Sequence, residues 1–111
     1  MSGRPPAEAG AGVPLRTADL GPGARGVFTT RAGGVSTGAF AGPAGTGGLN
    51  LGPHVGDDPE AVAENRARLE VAVGARIVWM DQVHGNVVRE VTAASGAGAG
   101  ACDALVARGR P

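Results

Sequence analysis

The clearest local signal in the chain is the stretch DDPEAVAENRARLEVAVG, residues 57–74. Its opening, Asp57-Asp58-Pro59-Glu60, offers a carboxylate as N-cap, a proline in the first turn and an acid near the positive end of a helix. These features predict a helix from about Pro59 to Val73 that ends at Gly74. Asp57 is interpreted as a helix cap rather than as a catalytic acid. The apolar stripe of this helix consists of Val62, Leu69, Ala72 and Val73.

Short extended segments and glycine-rich loops precede this helix. Gly26-Val27-Phe28-Thr29-Thr30-Arg31 predicts a strand, because β-branched and aromatic residues lead up to the Gly33-Gly34 break. Residues 32–48 form a predicted loop with seven glycines, and loops of this length without secondary structure are usually functional or disordered. The Pro-, Gly- and Ala-rich residues 1–24 are predicted to be a disordered leader.

A histidine follows the next apolar run. Ile77-Val78-Trp79-Met80 is predicted to begin a strand that reaches His84. Gly85-Asn86 has the chemistry of a two-residue hairpin turn, so residues 87–91 are expected to return antiparallel to the first arm. Alternation along that arm would place Gln82 and His84 on the same face.

Strands on both sides of a helix predict an α/β (α+β) fold, with a mixed sheet packed against helices. Residues 93–101 are predicted to form an Ala/Gly loop, and residues 103–106 one more strand. The core is small for 111 residues, because 21 residues are glycine and the aromatics are Phe28, Phe40 and Trp79. Burial of apolar area therefore favours an independent fold only weakly.

Charge and composition exclude several classes of protein. Ten basic and ten acidic residues cancel, which argues against nucleic acid or an anionic membrane as a partner. No segment has the apolar length of a spanning helix, and the N-terminus lacks the apolar core of a signal peptide. The single cysteine excludes an intrachain disulfide and fits a reducing compartment. We therefore expect a cytoplasmic protein.

His84 has few possible partners for metal binding within the chain. One imidazole does not make a metal site, and the chain has one other histidine, His54. An improvised site of His54, His84 and Cys102 is disfavoured, because Cys102 lies in a glycine-rich loop rather than on an opposed strand. From the sequence pattern alone, the favoured interpretation of His84 is a hydrogen-bonded histidine at the end of a hairpin. The glycines of residues 33–48 do not follow a P-loop or dinucleotide pattern.

Four motifs, in the same order, resemble those of the laccase-domain (YfiH-type) family. They are FTTRAGGVS at residues 28–36, LNLGPHVGD at 49–57, ENR at 64–66 and QVHG at 82–85. Members of this family were named as multicopper polyphenol oxidases and are now described as zinc-dependent purine nucleoside phosphorylases. The resemblance implies that residues 25–111 are the N-terminal part of a YfiH-like laccase domain, truncated in this chain.

The resemblance implies phosphorolysis of adenosine, inosine and methylthioadenosine, with adenosine deamination as a second activity. Purine nucleoside and phosphate are then the expected partners. Zinc is the implied cofactor with His84 as one of its ligands, and the older family name leaves copper open. Arg31 is a candidate phosphate ligand, or a solvated arginine at a strand end. Asn50 is a candidate substrate ligand, or a side chain that bonds its own loop.

Two further zinc ligands are expected from the resemblance, a cysteine in an Asp-Cys motif and a histidine in a His-Ala-Gly-Trp-Arg motif. Neither motif occurs in the 111 residues. Cys102 matches the segment before the ligand cysteine's strand and is not assigned that role. Two hypotheses follow: a zinc-dependent purine nucleoside phosphorylase, or a truncated and inactive fragment or incomplete gene model. The sequence gives no indication of the oligomeric state.

Overall fold

The structure, a computed structural model, describes residues 12–108. In that range the chain is α/β, with seven strands and one α-helix. It divides into two compact units, one that ends at Gly74 and one that begins at Ala75. The predicted mixture of strand directions takes the form of three two-stranded sheets, one antiparallel and two parallel. No helix in the described part of the chain is long and apolar enough to cross a bilayer.

The first unit opens with an antiparallel hairpin. β1 (Leu15–Asp19) pairs with β2 (Arg25–Thr29), in a register that sets Leu15 opposite Thr29 and Asp19 opposite Arg25. β2 confirms the strand predicted around Phe28. The ladder provides partners for the backbone groups of β1.

The predicted disordered leader therefore does not include Leu15–Asp19. Val13, just before this strand, is buried, and its backbone lies so close to Gly33 that a side chain at Gly33 would collide with it. The residue types of this segment do not indicate a strand. It forms one because it pairs with β2. Residues 1–11 of the predicted leader lie outside the described residues.

The glycine-rich segment 32–48 is ordered rather than a structureless loop. It contains β3 (Ala32–Ser36) and two single turns of 3₁₀ helix, Gly38–Phe40 and Pro43–Gly45. Gly48 forms antiparallel bridges to both ends of β3. A Cβ at Gly34 would collide with the Gly48 carbonyl oxygen and with the Asn65 side chain. Glycine is required at position 34 because two backbones and a helix side chain meet there.

Helix α1 spans Pro59–Val73, which confirms the prediction. The N-cap is Asp58, whose Oδ1 accepts the Glu60 N–H at 3.0 Å. At the other end Gly74 adopts a left-handed φ of 73°, and its N–H donates to the carbonyls of Glu70 and Val71. The two ends follow from local sequence, because capping carboxylates and left-handed glycines act within one turn.

The buried face of α1 packs against β3 and includes a polar residue. Val62 and Leu69 are buried as predicted, and Asn65 between them is 0% exposed. Its Oδ1 accepts the Val35 N–H at 2.8 Å. Its Nδ2 donates to Ser36 Oγ at 2.9 Å and to the Asn50 carbonyl at 2.8 Å. One amide therefore joins the helix to β3 and to the loop that precedes the helix.

The second unit contains two parallel strand pairs. Its strands are β4 (Trp79–Asp81), β5 (Val88–Val91), β6 (Gly98–Ala101) and β7 (Ala104–Ala107). β4 pairs with β6, and β5 pairs with β7. The strand predicted over residues 103–106 is confirmed as β7.

The hairpin predicted at Gly85-Asn86 is wrong. β4 and β5 do not pair with each other, and each pairs instead with a parallel strand later in the chain. The first arm ends at Asp81, short of His84. The predicted Ala/Gly loop contains β6, a strand whose residue types have low β-propensity.

Replacement of Asn65 by alanine is expected to destabilise the first unit by about 2–4 kcal/mol, because three partners lose their hydrogen bonds in a buried place. Urea denaturation followed by far-ultraviolet circular dichroism measures the change. Glu64→Ala on the same helix is the matched control. It removes only the exposed pair with Arg68 and should cost about 0.5 kcal/mol or less. Equal losses in both variants would contradict a special role for Asn65.

Candidate functional site

His84 lies in the segment 82–87, between β4 and β5, and is exposed. Its backbone has a φ of 58°, in the left-handed region that only a few per cent of non-glycine residues occupy. No residue from 12 to 108 makes a hydrogen bond with its imidazole. An exposed imidazole on an unusual backbone is available to an external partner.

The carboxylate of Asp103 binds the backbone on both sides of His84. Oδ1 accepts the Val83 N–H at 3.2 Å, and Oδ2 accepts the Gly85 N–H at 2.9 Å. Each oxygen is thus used for one of the two amides that flank a single residue. Hydrogen bonds to an ionised acceptor are stronger than those between neutral groups.

The ends of the same segment are held by the connection between β6 and β7. The Cys102 N–H donates to the Asp81 carbonyl at 3.1 Å, and the Asp103 N–H donates to the Val87 carbonyl at 2.9 Å. Cys102 is 0% exposed. Cys102 and Asp103 therefore bind the backbone of this region at three places: at Asp81 before the segment, on both sides of His84, and at Val87 at its end.

The described residues contain no group of three or more His, Cys, Asp or Glu side chains that could hold a metal ion. His84 fits a metal as a single ligand, because its imidazole is exposed. Cys102 does not fit, since it is buried and its thiol lies 3.7 Å from the Gly100 carbonyl oxygen, as a donor to it. A catalytic zinc commonly takes three protein ligands, so at least two would have to come from outside residues 12–108.

Arg31 lies in the first unit, between β2 and β3, and is exposed. Its carbonyl accepts the Leu49 N–H at 2.9 Å, which fixes its backbone beside the loop that follows Gly48. Among residues 12–108 its guanidinium has no ion-pair partner. This leaves its planar set of donors available to an anion.

Asn50 organises the loop in which it lies. Its Nδ2 donates to the Gly52 carbonyl at 3.3 Å and to Asp57 Oδ2 at 3.2 Å, while its Oδ1 accepts the Gly52 N–H at 3.1 Å. Both N–H groups of the amide are therefore in use inside the protein. This geometry matches the alternative in which the side chain bonds its own loop.

Asp57 is not the helix cap, and its interpretation as one is wrong. Its Oδ2 accepts the Ser36 hydroxyl at 2.5 Å as well as the Asn50 amide, and its Oδ1 accepts the Asp58 N–H at 2.8 Å. The Ser36 hydrogen bond, with those from Asn50 and Asp58 and against the effect of burial, lowers the pKa of Asp57. Ser36, Asn50, Asp57 and Asn65 form one connected cluster, here called the polar cluster.

Sequence reasoning missed two of the residues that position these groups. Asn65 lies where the apolar stripe of the helix has a gap between Val62 and Leu69, and that gap was a usable signal. Asp103 gave no signal of this kind, because an acid in front of a strand is common on a protein surface. Its partners, Val83 and Gly85, are 20 and 18 residues away.

Comparison with known proteins gives consistent matches. The profile of the family described as multi-copper polyphenol oxidoreductase laccase matches residues 25–110. A purine nucleoside phosphorylase of Mycobacterium tuberculosis is 57% identical over 70 residues, which are 60% of this chain and 26% of that protein. A purine nucleoside phosphorylase of Streptomyces griseus is 46% identical over 99 residues, which are 85% of this chain and 38% of that protein.

A solved structure is also similar. The crystal structure of the Neisseria meningitidis protein NMB0706, of the DUF152 family, is 41% identical with a TM-score of 0.58, and the match covers 68% of this chain and 30% of that one. The matches confirm the resemblance inferred from the four motifs and the α/β class. The chain spans 26% to 38% of the length of the two phosphorylases.

The polar cluster predicts an acid-dependent stability. Because the pKa of Asp57 is lowered in the folded chain, its carboxylate stabilises the fold at pH values above the ordinary pKa of a carboxyl group. That contribution is lost as the pH falls through the lowered pKa. In Asp57→Asn, the fall in urea stability between neutral and acid pH should be smaller than in the parent chain.

Asp58→Asn is the matched control for this measurement. It removes the neighbouring carboxylate but keeps a good N-cap, so it should retain the acid dependence of the parent. An unchanged acid dependence in Asp57→Asn would contradict the role assigned to the polar cluster.

Proposed function

Because the chain belongs to the family described as multi-copper polyphenol oxidoreductase laccase, we propose that it forms part of a purine nucleoside phosphorylase. The observation that carries the proposal is the match of residues 25–110 to this family, together with relatives that are named purine nucleoside phosphorylase. The matched region contains Arg31, Asn50 and His84. The proposed substrates are a purine nucleoside and inorganic phosphate.

The proposed reaction is phosphorolysis of adenosine, inosine or methylthioadenosine. A phosphate oxygen attacks the anomeric carbon of the ribose, and the bond from that carbon to the purine nitrogen breaks. The purine leaves with the electron pair of that bond and takes up a proton. The products are the free base and a ribose 1-phosphate, or its methylthio analogue.

Arg31 is proposed to bind the phosphate. Its exposed guanidinium lacks an ion-pair partner among the described residues, and its planar donors fit phosphate bidentately. Asn50 is proposed to contribute to substrate binding through the loop that it fixes, since its amide is occupied by Gly52 and Asp57. Arg31 and Asn50 are assigned from their own surroundings in the first unit.

His84 is proposed as one ligand of a zinc ion whose other ligands come from outside residues 12–108. The fixed backbone and exposed imidazole of His84 support this role. A bound zinc ion lowers the pKa of its water to about 7, which would suit deamination of adenosine as a second activity. Imidazole also binds copper, but phosphorolysis transfers no electrons, so zinc is the cofactor proposed.

The second candidate is a truncated chain without activity of its own. It is favoured by the incomplete set of metal ligands in the described residues and by the exposed parallel strands of the second unit. Val88 on β5 and Val106 on β7 are 59% and 50% exposed, whereas parallel strands are usually covered on both faces. We propose that the family activity requires further protein to cover these strands and complete the metal site.

The purified chain is therefore expected to retain less than one zinc ion per molecule and to leave inosine unchanged in the presence of phosphate. Metal analysis after gel filtration and chromatography of the free base measure the two properties. Stoichiometric zinc and phosphorolysis, both lost in His84→Ala and kept in His54→Ala, would show that the chain is active by itself. Loss in both variants and in Cys102→Ser would instead point to the improvised site.

The DNA beyond the codon for Pro111 offers an independent check. An in-frame continuation that encodes an Asp-Cys motif and a His-Ala-Gly-Trp-Arg motif would mean that the gene supplies the missing ligands. Without such a continuation, the proposal of a truncated product would stand for this gene.

Phosphate binding by Arg31 is expected to be observable in the chain itself. Titration with inorganic phosphate should shift the side-chain N–H resonance of Arg31 in a saturable manner, because a guanidinium without an ion-pair partner can accept the anion. The matched comparison within the same spectra is Arg16, an exposed arginine on β1. Equal shifts of both resonances would indicate only the general attraction of phosphate to arginine and would contradict a site at Arg31.

A further inference from the structure

The backbone at His84 has a conformation that its residue type does not favour. A left-handed φ brings Cβ close to the following carbonyl oxygen and is therefore unfavourable for a residue other than glycine. In an exposed turn, glycine or asparagine would adopt this conformation more readily. For a histidine at φ 58° in an exposed segment, the contacts that favour this conformation are therefore of interest.

The carboxylate of Asp103 makes contacts of this kind. Its two carboxylate oxygens bind the amides before and after His84, at 3.2 and 2.9 Å. The Val83 and Gly85 amides are exposed and could bind water instead, so the carboxylate does not rescue buried donors. Its effect is to hold these two amides at a fixed separation, which fixes the backbone torsions of the residue between them.

Asp103 is itself held in place. Its N–H donates to the Val87 carbonyl, and the preceding residue, Cys102, is buried. Gly85 lies so close that a Cβ on it would be 3.3 Å from Asp103 Oδ2. A larger residue after His84 would therefore require the carboxylate to shift slightly.

We infer that Asp103 is the positioning residue of His84: its carboxylate fixes the left-handed backbone at His84 and thereby the direction of the exposed imidazole. This inference rests on the proposed function, in which that imidazole binds a metal ion, and it adds the residue that orients the ligand. A ligand held in advance loses less conformational freedom when the metal binds. The hydrogen bonds of the Asp103 carboxylate in this segment go to backbone amides, so it acts through the backbone.

The test uses heteronuclear NMR of the full chain and of its Asp103→Ala and Asp103→Asn variants. In Asp103→Ala, hydrogen exchange at the Val83 and Gly85 amides should accelerate about tenfold or more, because the local closed state loses its acceptor. The coupling between the amide and α protons of His84 should move away from its left-handed value. Asp103→Asn retains one carbonyl oxygen and should protect at most one of the two amides.

Asp19→Ala is the matched control. Asp19 also accepts a loop amide, that of Gly21 at 2.9 Å, so its loss should leave the exchange of Val83 and Gly85 and the His84 coupling unchanged. Unchanged exchange and coupling in Asp103→Ala would overturn the inference.

Addition of zinc ions alone tests the proposed function separately. Zinc should broaden the imidazole resonances of His84 in the parent chain and have no equivalent effect at any other residue. If exchange and coupling behave as expected but zinc leaves His84 unaffected, the positioning by Asp103 stands and the metal-binding role fails. If zinc binds His84 but Asp103→Ala changes neither exchange nor coupling, the metal-binding role stands and the positioning by Asp103 fails.

Discussion

The buried amide of Asn65 is the interaction on which the first unit depends. Helix α1, strand β3 and the loop before the helix each contribute a polar group to this amide, and few large apolar side chains are available to hold them together. A buried amide whose partners are all present adds directional specificity to a small core. Gly34 belongs to the same constraint, because any side chain there would occupy the space of the Asn65 amide.

The helix could be predicted from local signals. Several strands and their partners could not, because they depend on pairing between distant parts of the chain. The bounds of α1 follow from Asp58, Pro59 and Gly74, which act within one turn of the helix that they delimit. β4 pairs with β6, whose Ala- and Gly-rich sequence carries little strand signal. β7 was predicted as a strand, but its parallel pairing with β5 was not. A plausible turn at Gly85-Asn86 then suggested a hairpin, although the true partners of β4 and β5 lie further along the chain. The same reasoning applies to β1, which is defined by its partner β2.

Sequence motifs marked the candidate residues but did not describe their surroundings. His84 and Arg31 are both exposed. The motif around Asn50 marks a real structural unit, but the side chain serves its own loop and the Asp57 carboxylate. Asp103 could not be found from sequence, because its role arises only when the connection between β6 and β7 lies beside the segment that carries His84. Long-range contacts of this kind leave no periodic pattern.

Burial of the single thiol next to this segment also gives the protein a built-in chemical reporter. Cys102 is fully buried and is the one cysteine of the chain, and its backbone anchors the first end of the His84 segment. A thiol reagent can reach it only when the structure around it opens. The rate of alkylation in the native state therefore measures how often the structure around Cys102 opens, without any substitution in the chain. Each alkylation adds mass to the protein. Mass spectrometry can therefore follow the opening of this region in a mixture of proteins, alongside the residue-by-residue NMR measurements.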